Sequence, residues 1–560
     1  MPTLYESRRE QMFPKLSPAQ LSRLGAYGQR VPTREAEILV DSGERYGRIV
    51  AVLSGSIDVL LPGLTGETTI TQLTAGDFTG EMSALRGSSS YVRVRVHEAG
   101  EVISISAENL RRLIQADAEL SELFMRAFIL RRMGLRETHA GDVVLIGSRD
   151  SPHALRIRQF LERNVVPYSS FDAVDDLDAV ALLEQFQIGV HEIPIVLCRD
   201  MILRNPTNER VADCLGLNAQ LDESVVRDVV VIGAGPAGLA AAVYAASEGL
   251  SVLVLETMAP GGQAGTSSRI ENYLGFPTGI SGGALAGRAL VQAQKFGAEV
   301  IVAGSAVRLA TCDSLHRVDL SGGRTIRART VIIATGAEYR SLPLENLGRF
   351  LGVGIYYAAT SIEAQLCRDD VVCIVGGGNS AGQAAVFLAN TCSEVHVLVR
   401  SAGLSDSMSQ YLIRRIDESS NISLHPFTEL TALDGDTHLE SVSWRSRGEL
   451  TTRPIRHVFI LAGAVPNVGW LGQCIAVDKQ GFVQTGPDIS PRELEVRHWP
   501  LGRAPYFLET SQPGVFAVGD VRSGSTKRVA AAVGEGSACI SFVHAVLAKS
   551  DLGTAETRTR

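Results

Sequence analysis

The chain has 560 residues, a formal net charge of −8 and a hydrophobic fraction of 45%. This length predicts about three to four domains. The acidic balance gives no indication of a nucleic-acid partner, and neither a membrane span nor a signal peptide is predicted. Eight scattered cysteines without a Cys-x-x-Cys spacing favour a cytoplasmic chain that has neither a disulfide framework nor a metal site.

Residues 10–135 are expected to form short β-strands followed by helices. Arg48–Leu61 has the pattern of two strands joined by a turn, and Tyr91–Val96 that of a further strand. This arrangement is similar to the jelly roll of cyclic nucleotide-binding domains, whose phosphate cassette begins with Gly-Glu, and Gly80 and Glu81 match that pair. The resemblance implies that the glutamate accepts a hydrogen bond from a ribose 2′-hydroxyl.

The same resemblance places Ser90 where those domains have the arginine that binds the cyclic phosphate. A serine lacks the two parallel, charge-assisted hydrogen bonds of an arginine. Arg86 and Arg93 are near in sequence but stand at other positions. We therefore expect weak or absent cyclic nucleotide binding and a structural or docking role, with nucleotide sensing as the alternative.

Residues 140–217 resemble the α/β fold of glutaredoxins and thioredoxins. Leu155–Arg163 corresponds to the helix after the first strand, and Ile193-Pro194 to the cis-proline of that fold. The resemblance places Ser151 and Ala154 at the two cysteine positions of the family. No thiol is therefore available for the helix N-terminus to activate.

A glycine-rich motif begins at Gly233, directly after the β-branched run Val229–Ile232 that is typical of a buried parallel strand. Gly233 allows the tight turn, Gly235 lets the backbone approach a pyrophosphate, and Gly238 lets the following helix pack on the strand. The helix N-terminus then faces the phosphate. Glu256, about 20 residues on, is placed to hold ribose hydroxyls. A glycine turn without a ligand is the alternative.

A second fingerprint, with Gly376, Gly378 and in the third position Ala381, follows the strand-like run Val371–Val375. Two such motifs in order predict hydride transfer between a nicotinamide and a flavin. The strand after this fingerprint ends at Arg400 instead of an acid. Because an arginine suits a 2′-phosphate, NADPH is the expected donor and NADH the alternative. The other interpretation of Arg400 is a solvated surface arginine.

From about residue 226 to 545 the chain resembles the thioredoxin reductase family of FAD and NADPH flavoproteins. Besides the two fingerprints, the segments that carry this resemblance are Gly261–Gln263, Glu271–Tyr273, Ala334–Gly336 and Pro513–Asp520. The resemblance implies an FAD domain in two pieces with an NADPH domain inserted between them, and a homodimer is expected. The expected boundaries are 226–340 and 464–545 for the FAD domain and 341–463 for the NADPH domain.

The fingerprints and the resemblance together predict the cofactor-binding residues. Arg528 is expected to face the flavin ring, where a positive charge stabilises the reduced anionic flavin, and a surface salt bridge is the alternative. The predicted set is Gly233, Gly235, Gly238, Glu256, Gly262, Gln263, Asn272, Ala334, Thr335, Gly336, Gly376, Gly378, Asn379, Ser380, Ala381, Arg400, Gly519, Asp520, Arg528, Val529 and Ala530.

The chain departs from the family where electrons would leave the flavin. Thioredoxin reductases have a Cys-x-x-Cys before the second fingerprint, and the resemblance places Ala358 and Ser361 at its two cysteine positions. Neither side chain forms a thiolate, so no dithiol exchange is expected there and no catalytic residue is predicted. A displaced redox pair of Cys367 and Cys373 is the alternative.

The sequence thus predicts three modules: a β jelly roll similar to cyclic nucleotide-binding domains, an α/β thioredoxin-like domain, and an α/β flavoprotein with two Rossmann-type domains. The expected function is NADPH-dependent reduction of FAD, followed by electron transfer to a non-disulfide acceptor. A ferredoxin, a flavodoxin, a quinone and oxygen are the candidate acceptors. The alternatives are a thioredoxin-disulfide reductase that uses cysteines outside the family position, and a redox or cyclic-nucleotide sensor that binds a partner.

Overall fold

The computed structural model describes most of the chain. The described residues are 9–44, 48–63, 66–80, 90, 92–137, 143–148, 151–173, 189, 192–198, 201–218, 221–267, 269–312 and 315–558. The predicted ribose ligand Glu81 and the substitute cation Arg86 lie outside these residues.

The N-terminal domain is an antiparallel sheet, and helices precede and follow its strands in the sequence. Its strands are β1 (Gln29–Pro32), β2 (Ile38–Val40), β3 (Ile49–Gly63), β4 (Gly66–Thr74) and β5 (Arg93–Ile105). Its helices are α1 (Arg9–Met12), α2 (Pro18–Gly25), α3 (Ala107–Ala116) and α4 (Ala118–Glu137). The strand order is β1-β5-β3-β4, with β2 paired to β5. The predicted β domain is confirmed, and Phe78, Phe124 and Phe128 form the aromatic part of its core.

One detail of this domain differs from the prediction. The segment expected to be two strands joined by a turn is the single strand β3. Its pairing with β5 shifts register around Gly55, which has a φ of 77°. A glycine in this conformation bends a strand and adds a bulge without reversing the chain direction, and this is why the turn signal was misleading.

Residues 143–217 are called here the middle module, and their described part forms a small mixed sheet with two helices. The strands are β6 (Val143–Ile146), β7 (Ser169–Phe171), β8 (Ile195–Cys198) and β9 (Met201–Arg204), and the helices are α5 (Pro152–Arg163) and α6 (Asn208–Leu215). The order is β7-β6-β8-β9, in which only β6 and β7 run parallel. The Ile193–Pro194 peptide bond is cis, as the resemblance implies.

The middle module also corrects the expectation that the cysteines form no disulfide. Cys198, at the end of β8, is bonded to Cys214 on α6. The two residues are 16 apart in sequence. The fold brings the end of a strand and a helix together. Because the two cysteines do not form a Cys-x-x-Cys motif, the sequence contains no indication of their pairing.

The first Rossmann domain contains the first glycine fingerprint. Its strands are β10 (Val226–Ile232), β11 (Val252–Glu256), β12 (Glu299–Val302), β13 (Ala306–Cys312), β14 (Leu315–Leu320) and β15 (Thr325–Ile333), and its helices are α7 (Pro236–Ser247) and α8 (Gly282–Lys295). Strands β12, β11, β10 and β15 are parallel neighbours in that order. The strand and helix predicted around Gly233 are therefore confirmed.

The second Rossmann domain follows after a short strand β16 (Ala337–Tyr339). Its strands are β17 (Ile355–Tyr356), β18 (Val371–Val375), β19 (Glu394–Leu398), β20 (Ile422–His425), β21 (Thr428–Asp434), β22 (Ser441–Ser446), β23 (Glu449–Arg453) and β24 (His457–Ile460). Its helices are α9 (Ser361–Leu366), α10 (Asn379–Leu388) and α11 (Gln410–Glu418). The parallel order β17-β24-β18-β19-β20 confirms the predicted strands on both sides of the second fingerprint.

The chain then returns to the first Rossmann domain. The remaining elements are β25 (Ala464–Pro466), α12 (Pro491–Val496), β26 (Val515–Ala517) and α13 (Val529–Arg558). Strand β25 pairs with β16, and β26 adds to the first sheet beside β15 in parallel. One sheet is thus completed by two chain segments that flank the second Rossmann domain.

Helix α13 forms part of the core of the first Rossmann domain. By length and composition alone, its portion Val529–Ala548 could cross a membrane, and it is the one such helix among the described residues. It packs on α7, where a Cβ on Gly536 would lie 2.1 Å from the carbonyl oxygen of Ala237. Cys539, Ile540 and Val543 are buried in the same core. Burial in this core accounts for these residues, and 28% of the apolar window is buried.

Candidate functional site

The first fingerprint forms a backbone cradle in which two of the three glycines have no room for a side chain. Gly233 has a φ of 105°, and a Cβ there would lie 2.4 Å from the carbonyl oxygen of Ala334. A Cβ on Gly238 would lie 1.9 Å from the carbonyl oxygen of Gly233. Gly235 caps α7 without any side-chain hydrogen bond, so the first backbone N–H groups of the helix remain free for an anion.

Glu256, at the end of β11, is fixed beside this cradle. Its Oε2 accepts a hydrogen bond from the backbone N–H of Ala234 at 2.8 Å, and its Oε1 accepts one from that of Met258 at 2.9 Å. The residue is 7% exposed and lines the cavity that the glycines open into. An oriented carboxylate at this place suits ribose hydroxyls, which are hydrogen-bond donors.

The cavity extends from the first fingerprint to the second Rossmann domain and has a volume of about 1430 Å³. Most of the predicted residues of the first site line it. Those that do so are Gly233, Gly235, Glu256, Gly262, Gln263, Asn272, Ala334, Thr335, Gly336, Asp520, Arg528 and Val529. Gly238, Gly519 and Ala530 do not line it. Gly238 instead packs the helix on the strand, as its predicted role requires.

The two pieces of the first Rossmann domain meet at the cavity wall. Thr335 Oγ1 donates to the carbonyl oxygen of Asn467 at 2.8 Å, and Asn467 Nδ2 donates back to that of Thr335 at 3.1 Å. Gln263 Nε2 donates to the carbonyl oxygen of Ala337. These contacts join segments that are far apart in sequence and fix the shape of the cavity.

Asp520 lines the cavity and is half-buried. Burial raises the pKa of its carboxyl group, and the charge of Lys527 partly opposes this shift. Lys527 Nζ also donates to the backbone oxygen of Asp520 at 2.9 Å. Arg528 is exposed and lines the cavity, and it forms no ion pair with the described residues. The alternative of a surface salt bridge at Arg528 therefore finds no partner in the described part of the chain.

The second fingerprint is built in the same way but is more open. A Cβ on Gly376 would lie 2.3 Å from the carbonyl oxygen of Leu461, whereas Gly378, which caps α10, has nothing within 4 Å. Ala381 is fully buried. Asn379 and Ser380 line the large cavity, but Gly376, Gly378 and Ala381 do not.

Arg400 follows β19 and is exposed. It does not line the large cavity. This position matches the end of the second strand of a Rossmann unit, where the adenosine ribose of a dinucleotide is read. Its role toward a 2′-phosphate stays a prediction.

The position of the missing redox motif is at the cavity wall. Ala358 lines the cavity, and Thr360 then caps α9, of which Ser361 is the first residue. Thr360 and Glu363 form a capping box, and Glu363 is 1% exposed. Among the described residues, no cysteine lines the cavity. The N-terminus of α9, which would activate a thiol, is thus capped by the hydroxyl group of Thr360 and the carboxylate of Glu363.

The alternative redox pair is not brought together. Cys373 and its strand neighbour Val372 point to opposite faces of the sheet, because side chains alternate along a strand. Cys367 lies on the Val372 face, where its Sγ is 3.6 Å from the Sγ of Cys392. Burial raises the pKa of the Cys373 thiol. The sequence therefore named the wrong partner for Cys367.

The middle module contributes a wall of the cavity that sequence reasoning missed. The α5 residues that line it are Pro152, Leu155, Arg156, Gln159 and Arg163. Gln159 Nε2 donates to Glu363 Oε1 at 2.8 Å, and thereby joins α5 to α9. Helix α5 was predicted, but its docking against the two Rossmann domains has no signal in its own sequence.

The N-terminal domain has no free cation at the described part of its predicted phosphate site. Ser90 is 6% exposed, and its Oγ donates to the backbone oxygen of Val92 at 2.9 Å. Arg93 pairs with Asp41 at 2.8 Å and also with Glu67. The hydrogen bond to Asp41 raises the pKa of Arg93. A cyclic phosphate at Arg93 would have to displace both carboxylates.

Comparison with known proteins decides the family. Residues 227–536, more than half of the chain, match the model for pyridine nucleotide-disulphide oxidoreductases. The chain belongs to this family. It is an FAD- and NADPH-dependent oxidoreductase of the thioredoxin reductase type, and its residues 30–117 match cyclic nucleotide-binding domains.

Individual relatives show how far the similarity extends. The thioredoxin reductase of Ureaplasma parvum is 31% identical over 314 residues, which are 56% of this chain and 94% of that protein. NADPH-dependent thioredoxin reductase 3 of Arabidopsis thaliana is 31% identical over 363 residues, covering 61% of this chain and 64% of that protein. The structure of T. acidophilum thioredoxin reductase is similar with a TM-score of 0.51 and 28% identity, over 57% of this chain and 99% of that one.

Proposed function

We propose that this family member passes electrons from NADPH through FAD to an acceptor that is not a disulfide. The observation that carries the proposal is Ala358. It lines the cavity at the position of a family cysteine, and no described cysteine replaces it there. Without a thiolate beside the cavity, electrons have no dithiol to enter.

The residues of the first site fit FAD. The free N–H groups at the start of α7 suit the pyrophosphate, and the oriented carboxylate of Glu256 suits the adenosine ribose. Bound FAD supplies a two-electron acceptor for the nicotinamide hydride. Arg528 and Lys527 line the cavity and place positive charge there, which favours an anionic reduced ring.

The residues of the second site fit a dinucleotide that binds and leaves. The N-terminus of α10 is capped by Gly378 alone and faces open space. We assign the pyrophosphate of NADPH to this helix end and the 2′-phosphate to Arg400. NADPH is oxidised to NADP⁺, and the two electrons go to two molecules of a one-electron protein acceptor, or together to a quinone or oxygen.

Anaerobic titration with NADPH tests this function. The protein is expected to take up two electrons per FAD, because no disulfide exchanges electrons with the ring. Steady-state NADPH oxidation with ferredoxin, flavodoxin, a soluble quinone, oxygen and thioredoxin then ranks the acceptors. Uptake of four electrons per FAD together with rapid thioredoxin reduction would contradict the proposal.

A disulfide reductase mechanism has one observation in its favour. The Sγ atoms of Cys367 and Cys392 are 3.6 Å apart, close enough to form a bond after a small shift. Both side chains are buried, at 0% and 6% exposure, and neither lines the cavity. Thiol counting before and after anaerobic NADPH reduction separates the two functions, since the disulfide mechanism releases two new thiols.

A further inference from the structure

Helix α5 of the middle module bridges the two Rossmann domains. Near its N-terminus, Leu155 is buried in the core of the second Rossmann domain and lies 3.2 Å from a Cβ placed on Gly352. Near its C-terminus, Asn164 Nδ2 donates to the backbone oxygen of Met258, in the segment that follows Glu256. The helix thus lies across the cavity and is held by both domains.

Arg163, the last residue of α5, lies at the phosphate cradle. Its Nη2 donates to the backbone oxygen of Gly262 at 3.0 Å. Gly262 faces the fingerprint directly, because a Cβ on it would lie 3.0 Å from the Cα of Gly235. Arg163 also lines the same cavity as Gly235 and Glu256. A guanidinium therefore stands across from the N-terminus of α7.

This guanidinium lacks a full set of partners. The hydrogen bond to Gly262 is the one that its side chain makes with the described residues, among which it has no ion pair. Burial lowers the pKa of Arg163, and the charges of Glu256 and Glu363 oppose the shift only in part. A half-buried cation with unused donors beside an anion cradle is unfavourable unless an anion arrives.

The neighbouring Arg156 shows the contrast. It also lines the cavity, but its Nη1 donates to Asn208 Oδ1 and its Nη2 to the backbone oxygen of Pro206, both at 2.7 Å. These bonds hold the turn before α6 and leave few donors for a ligand. Of the two α5 arginines at the cavity, Arg163 is the one whose guanidinium has more N–H groups available to bind a ligand.

We propose that Arg163, from a module outside the flavoprotein, binds the pyrophosphate of FAD from the side opposite the α7 N-terminus. The fork of an arginine suits two phosphate oxygens. FAD retention then depends on the docked middle module, although that module has no redox residue of its own at its helix start. This inference rests on the FAD site proposed above and deepens it.

FAD affinity of the full-length protein tests the proposal. Apoprotein of the native chain, Arg163→Gln, Arg163→Lys and Arg158→Gln is titrated with FAD, and bound flavin is followed by its fluorescence. Arg163→Gln is expected to bind FAD about ten- to a hundredfold more weakly, as loss of a charged hydrogen bond predicts. Arg163→Lys recovers part of the affinity, and Arg158→Gln, on the same helix but outside the cavity lining, stays native.

Two further readouts exclude a purely structural role. The FAD dissociation constant of the native protein should rise more steeply with salt than that of Arg163→Gln, because screening weakens a charge contact. The melting temperature of Arg163→Gln apoprotein should stay near the native value while its rise on adding FAD becomes smaller. A lower apoprotein melting temperature with an unchanged FAD affinity or salt dependence would overturn the proposal.

The fingerprint variant Gly235→Val separates this inference from the FAD site itself. If Gly235→Val keeps native FAD affinity, the assignment of FAD to the first fingerprint fails. If Gly235→Val loses FAD but Arg163→Gln binds it as tightly as the native chain, the site stands and the role of Arg163 alone is refuted.

Discussion

The two glycine fingerprints share a sequence pattern but differ in how the fold encloses them. At the first, a Cβ on Gly238 would lie 1.9 Å from the carbonyl oxygen of Gly233, and one on Gly235 would lie 3.9 Å from the Cα of Gly262. Glu256 is fixed there by two backbone N–H groups, and Arg163 donates to the backbone oxygen of Gly262. At the second, Ala381 replaces the third glycine, and nothing lies within 4 Å of a Cβ on Gly378.

This difference suits two nucleotides with different lifetimes in the protein. A closed site with a fixed carboxylate retains its ligand, because leaving requires several contacts to break together. An open site with an exposed arginine lets a substrate enter and leave in every turnover. We therefore expect the first fingerprint to hold a resident cofactor and the second an exchanging one.

The largest effect is expected from Gly235→Val. A Cβ at this residue meets only the Cα of Gly262, at 3.9 Å, so the fold accommodates it. The rest of the side chain fills the space for the pyrophosphate, and the purified variant should contain no FAD. The matched variant Gly378→Val should stay yellow but lose reduction by NADPH. Visible absorbance and circular dichroism measure both, and full flavin in Gly235→Val would contradict the assignment.

A smaller effect is expected at Arg400. Its removal in Arg400→Gln should lower the preference for NADPH over NADH about ten- to a hundredfold, because a charge-assisted contact to the 2′-phosphate is lost. Stopped-flow flavin reduction with each donor measures the preference. Equal rates for the two donors in the native protein would refute the assignment of Arg400.

A third nucleotide, cyclic AMP, is expected to bind the N-terminal domain weakly or not at all. Cyclic AMP should bind in the millimolar range or not at all, since Ser90 is bonded to the backbone and Arg93 is paired with carboxylates. Isothermal calorimetry on the native chain checks this, and Ser90→Arg should create or tighten binding if the site is otherwise intact. Micromolar affinity in the native chain would show that another cation binds the phosphate.

Substituting the buried cysteines Cys367 and Cys392 is expected to have no measurable effect on the rate of electron transfer. The double variant Cys367→Ser, Cys392→Ser should reduce an artificial dye with NADPH at the native rate, as should the control Cys474→Ser. Neither residue of the pair lines the cavity, and both side chains are buried. A large loss of turnover in the double variant alone would favour the disulfide reductase mechanism.

Local patterns in the sequence were sufficient for the elements around each fingerprint. Val229–Ile232 and Val371–Val375 are β-branched runs followed by glycines, and both are strands in the structure. Such signals succeed because strand, turn and helix lie within about 20 residues. The absence of thiols at Ala358 and Ser361 was equally visible, since it needed only the resemblance and the residue types.

Contacts between distant segments could not be predicted. Arg163 and Gly262 are separated by 99 residues, and no periodicity of α5 reveals which surface it docks on. The Cys198–Cys214 disulfide and the Cys367–Cys392 approach likewise depend on how strands and helices pack. The burial of Cys373, however, was predicted from its place inside the buried strand Val371–Val375, and the structure confirms it.

The late position of β26 has a consequence for biosynthesis. This strand and the neighbouring Asp520 complete the first sheet and its cavity, but the ribosome makes them only after the whole second Rossmann domain. Because chains emerge N-terminus first and fold domain by domain, the first sheet lacks β26 until the inserted domain has been synthesised. Flavin loading must therefore be a late event, and translation arrested before β26 should yield a colourless protein.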